Sequence, residues 1–395
     1  MKKMNLAVFN TQPPHLYFGG VERRIIETAQ RLHNEITTTV YSGTKAGFKK
    51  PTTINGTNFV PCFSTDLLFP LDNWLFNRTI ANSADTIKAD VYEAHTVSGY
   101  GFLNTLRKHD TKKPFIHTIH GVLADEYAQS QQTDSLSPRA KLANLVMWQL
   151  SKKEEETAKK ATLLVTVSNY SSKKMTQFYG VDPKKIRIVP NGVDTNRFKP
   201  TKVNPKLKQQ IGIDSKLCIL FVGRLIPRKG LPYLAEAAKH IIKEYPQTLF
   251  VIVGNGPLKS SLKARLEKTG LSRNFNFLGD VNESVLPALY NCADIFVLPS
   301  IQEGQGIALL EAQATAKPVV AFDVGGVREA VRNKETGFLI KPDSRQLAEA
   351  ILKLLSNYSL REKMGNKGRE FVSANFSWNI CAEKMLKVYR EAATS

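Results

Sequence analysis

The 395-residue chain has few cysteines, a shortage of acid and no long apolar run. Its four cysteines, Cys62, Cys218, Cys292 and Cys381, are far apart. Neither a metal-ligand spacing nor a disulfide framework can be drawn through them, so they read as reduced core residues. No segment approaches the roughly 20 apolar residues that span a bilayer, and the opening MKKMNLAVFN turns polar too soon for a secretory leader. A cytoplasmic protein is the expectation. Acidic residues number 35 against 55 basic ones, a formal charge of +20. The deficit is even, with 27 basic and 17 acidic residues in 1–200 and 28 and 18 in 201–395, so no basic tail exists. An evenly basic surface attracts anionic lipid headgroups, nucleic acid or phosphorylated small molecules, and also simply keeps a protein soluble. Nucleic acid is set aside, because the chain has no aromatic–basic interleaving of the RNA-reading kind and no DNA-reading helical module.

What is present is ordinary for a packed protein: 42% hydrophobic and 23% charged residues, over a length that suits two cores of roughly 150 to 200 residues each. MNLAVFN reads as a buried strand, TQPPHLYFGG as a turn-rich loop and VERRIIETAQRLHN as a helix. Short apolar runs at TTTVYS, ADVYEAH, PFIHTIHG and TLLVTVS continue the alternation, the last after a long amphipathic segment that begins near Arg139. A mainly parallel sheet follows. IRIVPNGVDTNRFKP, rich in Pro, Gly and Asn, is the interdomain linker, and the first domain is placed at 1–195. In 196–375 the strands LCILFVG, TLFVIVG, FNFLG, IFVLPS, PVVAF and GFLI alternate with helical stretches, a second doubly wound α/β domain. The closing helices are too many to cover one sheet face, which leaves the last, in 376–395, free to return to the first domain.

Three places carry chemistry. Gly19 and Gly20 end the loop between the first strand and its helix, where backbone amides can approach an oxyanion. The loop does not match the dinucleotide fingerprint GxGxxG, which argues against NAD. In FVGRLIPRKG, Arg224 and Lys229 leave the carboxyl end of a strand between Gly223 and Gly230. Two cations so placed can converge on one diphosphate, Arg as a planar fork and Lys as a mobile point charge. In LPSIQEGQGIALLEAQATA, Glu303 lies in the loop after a strand and Glu311 eight residues on, about two turns into the helix by spacing. Carboxylates are natural acceptors for vicinal sugar hydroxyls, so one can hold a hexose and the other a ribose. Between them Gln305, Gly306, Ile307 and Ala308 offer backbone amides at a helix N-terminus.

These segments, IHG with His120, VPNGVD at 189–194, VGRLIPRKG, GNGP at 254–257 and EGQGIALLE, together resemble the retaining family-4 glycosyltransferases over nearly the full chain. The resemblance implies the GT-B fold, an α/β architecture of two Rossmann-like doubly wound domains facing across a cleft, with the final helix returning to the first. It implies that Arg224 and Lys229 grip the donor diphosphate, that Glu303 contacts the donor sugar and that Glu311 holds the ribose. His120 corresponds to a histidine near the transferred sugar, and Gly19 and Gly20 to the loop that closes over the phosphates. His120, Glu303, Arg224 and Lys229 are thus the candidate catalytic residues. Donor binding adds Gly19, Gly20, Gln305, Gly306, Ile307 and Glu311. Gln305 departs from the aromatic residue common in the family at that place, which bears on sugar selectivity. Asp-x-Asp occurs nowhere in the chain, in line with the family's usual independence of metal, so no metal site and no cofactor are expected.

The expected reaction is transfer of a hexose-type sugar from a nucleotide diphosphate sugar, UDP- before GDP-, to a hydroxyl of a glycan or lipid-linked precursor of the cell surface. His95, at the end of a strand like that before His120, is a candidate to face the acceptor. Leu142, Leu145, Val146 and Trp148 among basic flanks can form a membrane-surface helix, although apolar residues at this spacing also serve as core. With the net charge, they point to peripheral binding at an anionic inner leaflet. Two other classes compete: a nucleotide-sugar epimerase of the same fold, which needs no acceptor, and a basic nucleic-acid-binding protein.

Overall fold

A computed structural model of the chain describes residues 3–17, 19–66, 70–109, 112–131, 138–213 and 216–394. Phe18 lies outside the described residues. The chain divides into two compact units, unit 1 of 1–191 with 378–395 and unit 2 of 192–377.

Unit 1 is built on β1 (Met4–Phe9), β2 (Ile36–Gly43), β3 (Thr52–Ile54), β4 (Thr57–Cys62), β5 (Val91–His95), β6 (Phe115–Ile119), β7 (Leu163–Thr166) and β8 (Ile186–Ile188). They pair in the order β3-β4-β2-β1-β5-β6-β7-β8, all parallel except β3 against β4. β5 and β6 are buried at every position, as strands covered on both faces must be. The β3–β4 hairpin is an addition to the expected strands. Its Asn55-Gly56 turn has φ of 48° and 77°, the left-handed pair that a two-residue hairpin requires.

The last helix, Trp378–Ala393, belongs to unit 1 and packs on the helix Gly20–Leu32. Arg24 ties this face together. Nearly unexposed, it donates to the carbonyl of Val189 at 2.8 Å, to Asn191 Oδ1 at 3.1 Å and to Met385 Sδ at 3.2 Å. Arg187 pairs with Glu391 at the rim.

Unit 2 is built on β9 (Cys218–Val222), β10 (Leu249–Val253), β11 (Phe275–Gly279), β12 (Ile295–Leu298), β13 (Val319–Phe322) and β14 (Gly337–Ile340). The order is β11-β10-β9-β12-β13-β14, parallel throughout. Both sheets therefore reverse direction of growth once, between β1 and β5 and between β9 and β12. In an open parallel sheet the connections diverge at that point and leave a crevice beyond the carboxyl ends of the strands. The four cysteines are buried and unpaired.

Candidate functional site

At the reversal in unit 2, two loops are locked together by glycines. After β9 the chain turns through Gly223 to a short 3-10 turn, Pro227–Lys229, and Gly230 ends it at φ 66°. A Cβ on Gly230 would sit 1.7 Å from the Pro299 carbonyl oxygen, so only glycine lets the loop approach the segment after β12. The Ile301 amide donates to the Arg228 carbonyl at 2.9 Å, and Arg228 Nη1 reaches the Gln302 carbonyl at 3.4 Å. On the other side the Leu225 amide donates to the Asn255 carbonyl at 2.8 Å, fixing the loop to the GNGP segment.

This scaffold brings Lys229 and Glu303 together across 74 residues: Lys229 Nζ donates to Glu303 Oε2 at 2.5 Å. The side chains retain 15% and 12% exposure, so the pair is mostly shielded but still reachable. Burial alone would push the Glu303 carboxyl up; the Lys229 ammonium first, then Arg228, outweighs it and holds the group below the usual carboxylate value. Glu303 is thus an anion at neutral pH. Its main chain is also held, for the Gly326 amide donates to its carbonyl at 3.0 Å. Arg224 stands exposed on the same loop as Lys229, with no ion pair among the described residues.

Gly306, at φ 90°, starts the helix Ile307–Ala314 directly after Gln305, which is buried. Because the helix begins only there, Glu311 is its fifth residue. The expected two helical turns between Glu303 and Glu311 are a loop plus little more than one turn. Glu311 is buried and receives Tyr290 Oη at 2.7 Å. The sequence alone does not single out Tyr290 or Arg228, since neither lies in a recognisable spacing with the carboxylate it serves.

In unit 1, Gly19 caps the helix Gly20–Leu32, both glycines being exposed. A Cβ on Gly19 would meet Glu22 Oε2 at 2.3 Å, so this helix start already faces a carboxylate of its own first turn. His120 follows β6, half-buried, and its Nε2 lies 2.9 Å from His95 Nδ1 at the end of β5. The structure therefore joins two histidines that the sequence offered separately. Of the four residues in the helix Pro138–Lys160 named above, Leu142, Leu145 and Trp148 are 64%, 51% and 43% exposed, and Val146 is partly covered. They are not core. Among the described residues no three His, Cys, Asp or Glu side chains gather as a metal site, and no helix is long and apolar enough to cross a membrane.

Comparison with known proteins agrees with the geometry. Residues 18–197 match the model of Glycosyltransferase Family 4, and residues 203–371 that of Glycosyl transferases group 1. An uncharacterized glycosyltransferase of Methanocaldococcus jannaschii is 30% identical over 312 residues, 77% of this chain and 76% of that one. The UDP-Gal:alpha-D-GlcNAc-diphosphoundecaprenol alpha-1,3-galactosyltransferase of Escherichia coli is 34% identical over 260 residues, 64% of this chain and 63% of that one. The solved sucrose-phosphate synthase of Thermosynechococcus elongatus superposes over 100% of both chains with a TM-score of 0.84 at 20% identity, a likeness of fold. The chain belongs to the group 1 and family 4 glycosyltransferases, and its fold is GT-B.

Proposed function

We propose that the chain is a retaining, metal-independent transferase. It moves a hexose-type sugar from a nucleotide diphosphate sugar, UDP- in preference to GDP-, to a hydroxyl of a glycan or lipid-linked precursor of the cell surface. The observation that carries this reading is the Lys229–Glu303 contact at the strand-order reversal of unit 2, with Arg224 exposed on the same loop. An ammonium has three protons to give, so Lys229 can keep Glu303 and still take a phosphate oxygen. Arg224 supplies a second cation, and the two do the work of a divalent ion on the departing diphosphate. Glu303, held ionised, accepts from hydroxyls of the sugar; Glu311 accepts from the ribose. The amides of Gln305, Gly306 and Ile307 lie at a helix start, where negative charge is favoured. Gly19 and Gly20 are assigned to closure over the phosphates and His120 to contact with the transferred sugar. The Escherichia coli relative, whose name carries UDP-Gal and a diphosphoundecaprenol acceptor, supports the donor base and the acceptor class.

The protein is proposed to work in the cytoplasm, docked peripherally on an anionic membrane. Support comes from the net charge of +20 and the exposed Leu142, Leu145 and Trp148. Sedimentation with vesicles checks it: binding to anionic but not neutral vesicles at low salt, lost in Trp148→Ser, is expected, and equal recovery with both kinds would reject it.

The donor reading is tested by a thermal-shift screen of UDP-, GDP- and ADP-sugars, followed by hydrolysis of any hit in EDTA. A stabilising UDP-sugar that is hydrolysed without metal is the expected result. Turnover of the sugar nucleotide to its epimer, with no acceptor product, would make the chain an epimerase, and no response to any sugar nucleotide would remove the reading altogether.

A further inference from the structure

Two exposed apolar patches of unit 1, far apart in sequence, share one end of one face of the sheet. The helix Pro138–Lys160 carries the first, Leu142, Leu145 and Trp148. The second joins Phe63, just after β4, to Leu71 and Trp74 of the helix Leu71–Asn82; these three are 64%, 44% and 49% exposed.

Their placement follows from strand order. From β1 to β2 the chain moves one way along the sheet; from β4 to β5, β5 to β6 and β6 to β7 it moves the other way. Right-handed crossovers therefore put the helix Gly20–Leu32 on one face and the helices Leu71–Asn82, Tyr100–Lys108 and Pro138–Lys160 on the opposite one. The middle helix packs against both of its neighbours, and Lys153 Nζ lies 5.8 Å from the Tyr100 ring centre. Each outer helix is part of a connection between parallel strands, so it starts beyond their carboxyl ends and runs back. Thr79 Oγ1 donates to the Phe63 carbonyl at 3.0 Å, and Glu154 Oε2 accepts from the Leu123 amide, just past β6, at 3.0 Å. These contacts mark where the two helices pass the strand ends. Leu71 and Trp74 on one, and Leu142, Leu145 and Trp148 on the other, precede those levels, so both patches overhang the carboxyl ends and can meet one flat surface together.

The charges around the patches are mostly of one sign. Residues 71–82 and 141–151 contain Asp72, Arg78 and Lys141 and no other charged residue. Arg78 and Lys141 are exposed, whereas Asp72 is buried in an ion pair with Lys45. In the adjoining stretch 44–66, Lys45, Lys49 and Lys50 stand against a single acid, Asp66. The Arg78 guanidinium lies 5.5 Å from the Trp74 ring centre. An indole beside a cation suits the layer between acyl chains and anionic headgroups.

We propose that the two patches form one docking surface for an anionic lipid leaflet, with Phe63, Leu71 and Trp74 as a second point of insertion beside Leu142, Leu145 and Trp148. This rests on the membrane docking proposed above and adds to it the second contact and an orientation. With both patches in the leaflet, the carboxyl ends of the unit 1 strands, where an open sheet receives ligand, face the headgroups. A hydroxyl carried on a lipid headgroup is then in reach without leaving the bilayer.

The full-length chain is tested on vesicles of phosphatidylglycerol with phosphatidylcholine, against phosphatidylcholine alone. Trp74→Ser should weaken binding to the anionic vesicles about tenfold, as for one half-exposed aromatic left in water. Arg78→Gln should weaken it about fivefold, and only on anionic vesicles. Both variants should melt within about 2 °C of the wild type, because the side chains are exposed. A second readout needs no loss of affinity: in Trp148→Phe, bromine on the acyl chains should quench Trp74, the remaining tryptophan, Trp378, being buried. Trp74 left unquenched in vesicle-bound protein, or full affinity of Trp74→Ser beside a weakened Trp148→Ser, overturns the second contact and leaves the docking proposed above standing. A wild type that binds neither kind of vesicle removes that docking and this inference with it. Wild-type dimers in sedimentation velocity that Trp74→Ser dissolves would assign the patch to a second copy of the chain, and overturn the proposal as well.

Discussion

In unit 2 the polar groups at the strand-order reversal are charged, paired and partly open to solvent: Lys229 on Glu303, with Arg224 exposed beside them on the loop. In unit 1 the corresponding edge of the sheet carries His95 and His120, kept neutral by burial, and its carboxylate, Glu93, is sealed beneath them against the last helix. The first arrangement suits developing negative charge, since fixed cations stabilise it without reorganising. The second suits an uncharged partner recognised by hydrogen-bond direction. One fold element used twice thus carries two kinds of chemistry, fixed charges at the reversal of unit 2 and neutral hydrogen-bonding groups in unit 1.

The sharpest way to break this comparison is to remove the charges of unit 2. Glu303→Ala or Lys229→Ala should cut transfer by about 10²-fold or more, each deleting a group placed against developing charge. Each also strands a largely buried partner, so Tm should fall with activity, and the double substitution should recover part of the Tm but none of the rate. Steady-state kinetics beside calorimetric melting checks both; a single variant with full activity would misplace the site.

Next in size is the scaffold. Gly230→Ala forces a Cβ toward the Pro299 carbonyl, 1.7 Å away, at φ 66°. A loss well above ~1 kcal/mol is expected, measured by denaturant unfolding, and a neutral result would mean that the two loops can part. Glu311→Ala should act more weakly on rate: donor affinity falls about tenfold, as for one or two lost hydrogen bonds, with kcat largely kept. Titration calorimetry with UDP reads it, and an affinity unchanged would reduce Glu311 to a structural partner of Tyr290.

A pH dependence sharpens the view of unit 1 as a place of buried neutral groups. Glu154, buried and hydrogen-bonded by Tyr179 and the Leu123 amide, is pushed up by burial to about 8. An acid whose folded value exceeds its unfolded one binds more protons when folded, so its contribution is full below the unfolded value near 4.5 and declines as pH rises toward about 8. Stability of the wild type relative to Glu154→Gln should therefore fall between those limits in urea melts; a constant difference would show that Glu154 does not titrate there.

How much of this was legible in the sequence follows the same division. The reversal in unit 2 is built from close backbone approaches, marked in the sequence by Gly230 against the Pro299 carbonyl, Gly254 against that of Gly223 and Gly256 against that of Leu225, where a Cβ would not fit. Arg224, Lys229 and Glu303 could be read from that frame. What escaped was the direct contact of Lys229 with Glu303, the supporting Arg228 and Tyr290, and the late start of the helix carrying Glu311. In unit 1 the polar residues Glu93, His95, Thr118, His120 and Tyr389 are gathered by strand order and by the last helix, so no local spacing announces them. The β3–β4 hairpin is a different kind of omission, since Asn55-Gly56 between two β-rich runs is itself a turn signal.

The measurement that bears most directly on the account is hydrolysis of a UDP-sugar in EDTA by the wild type and Lys229→Ala, with UDP affinity measured alongside. Metal-free turnover by the wild type, with both rate and UDP affinity lost in the variant, is the expected result. Turnover that needs a divalent ion, or a Lys229→Ala protein that binds and hydrolyses as the wild type does, would contradict the assignment of the diphosphate to the Lys229–Glu303 site.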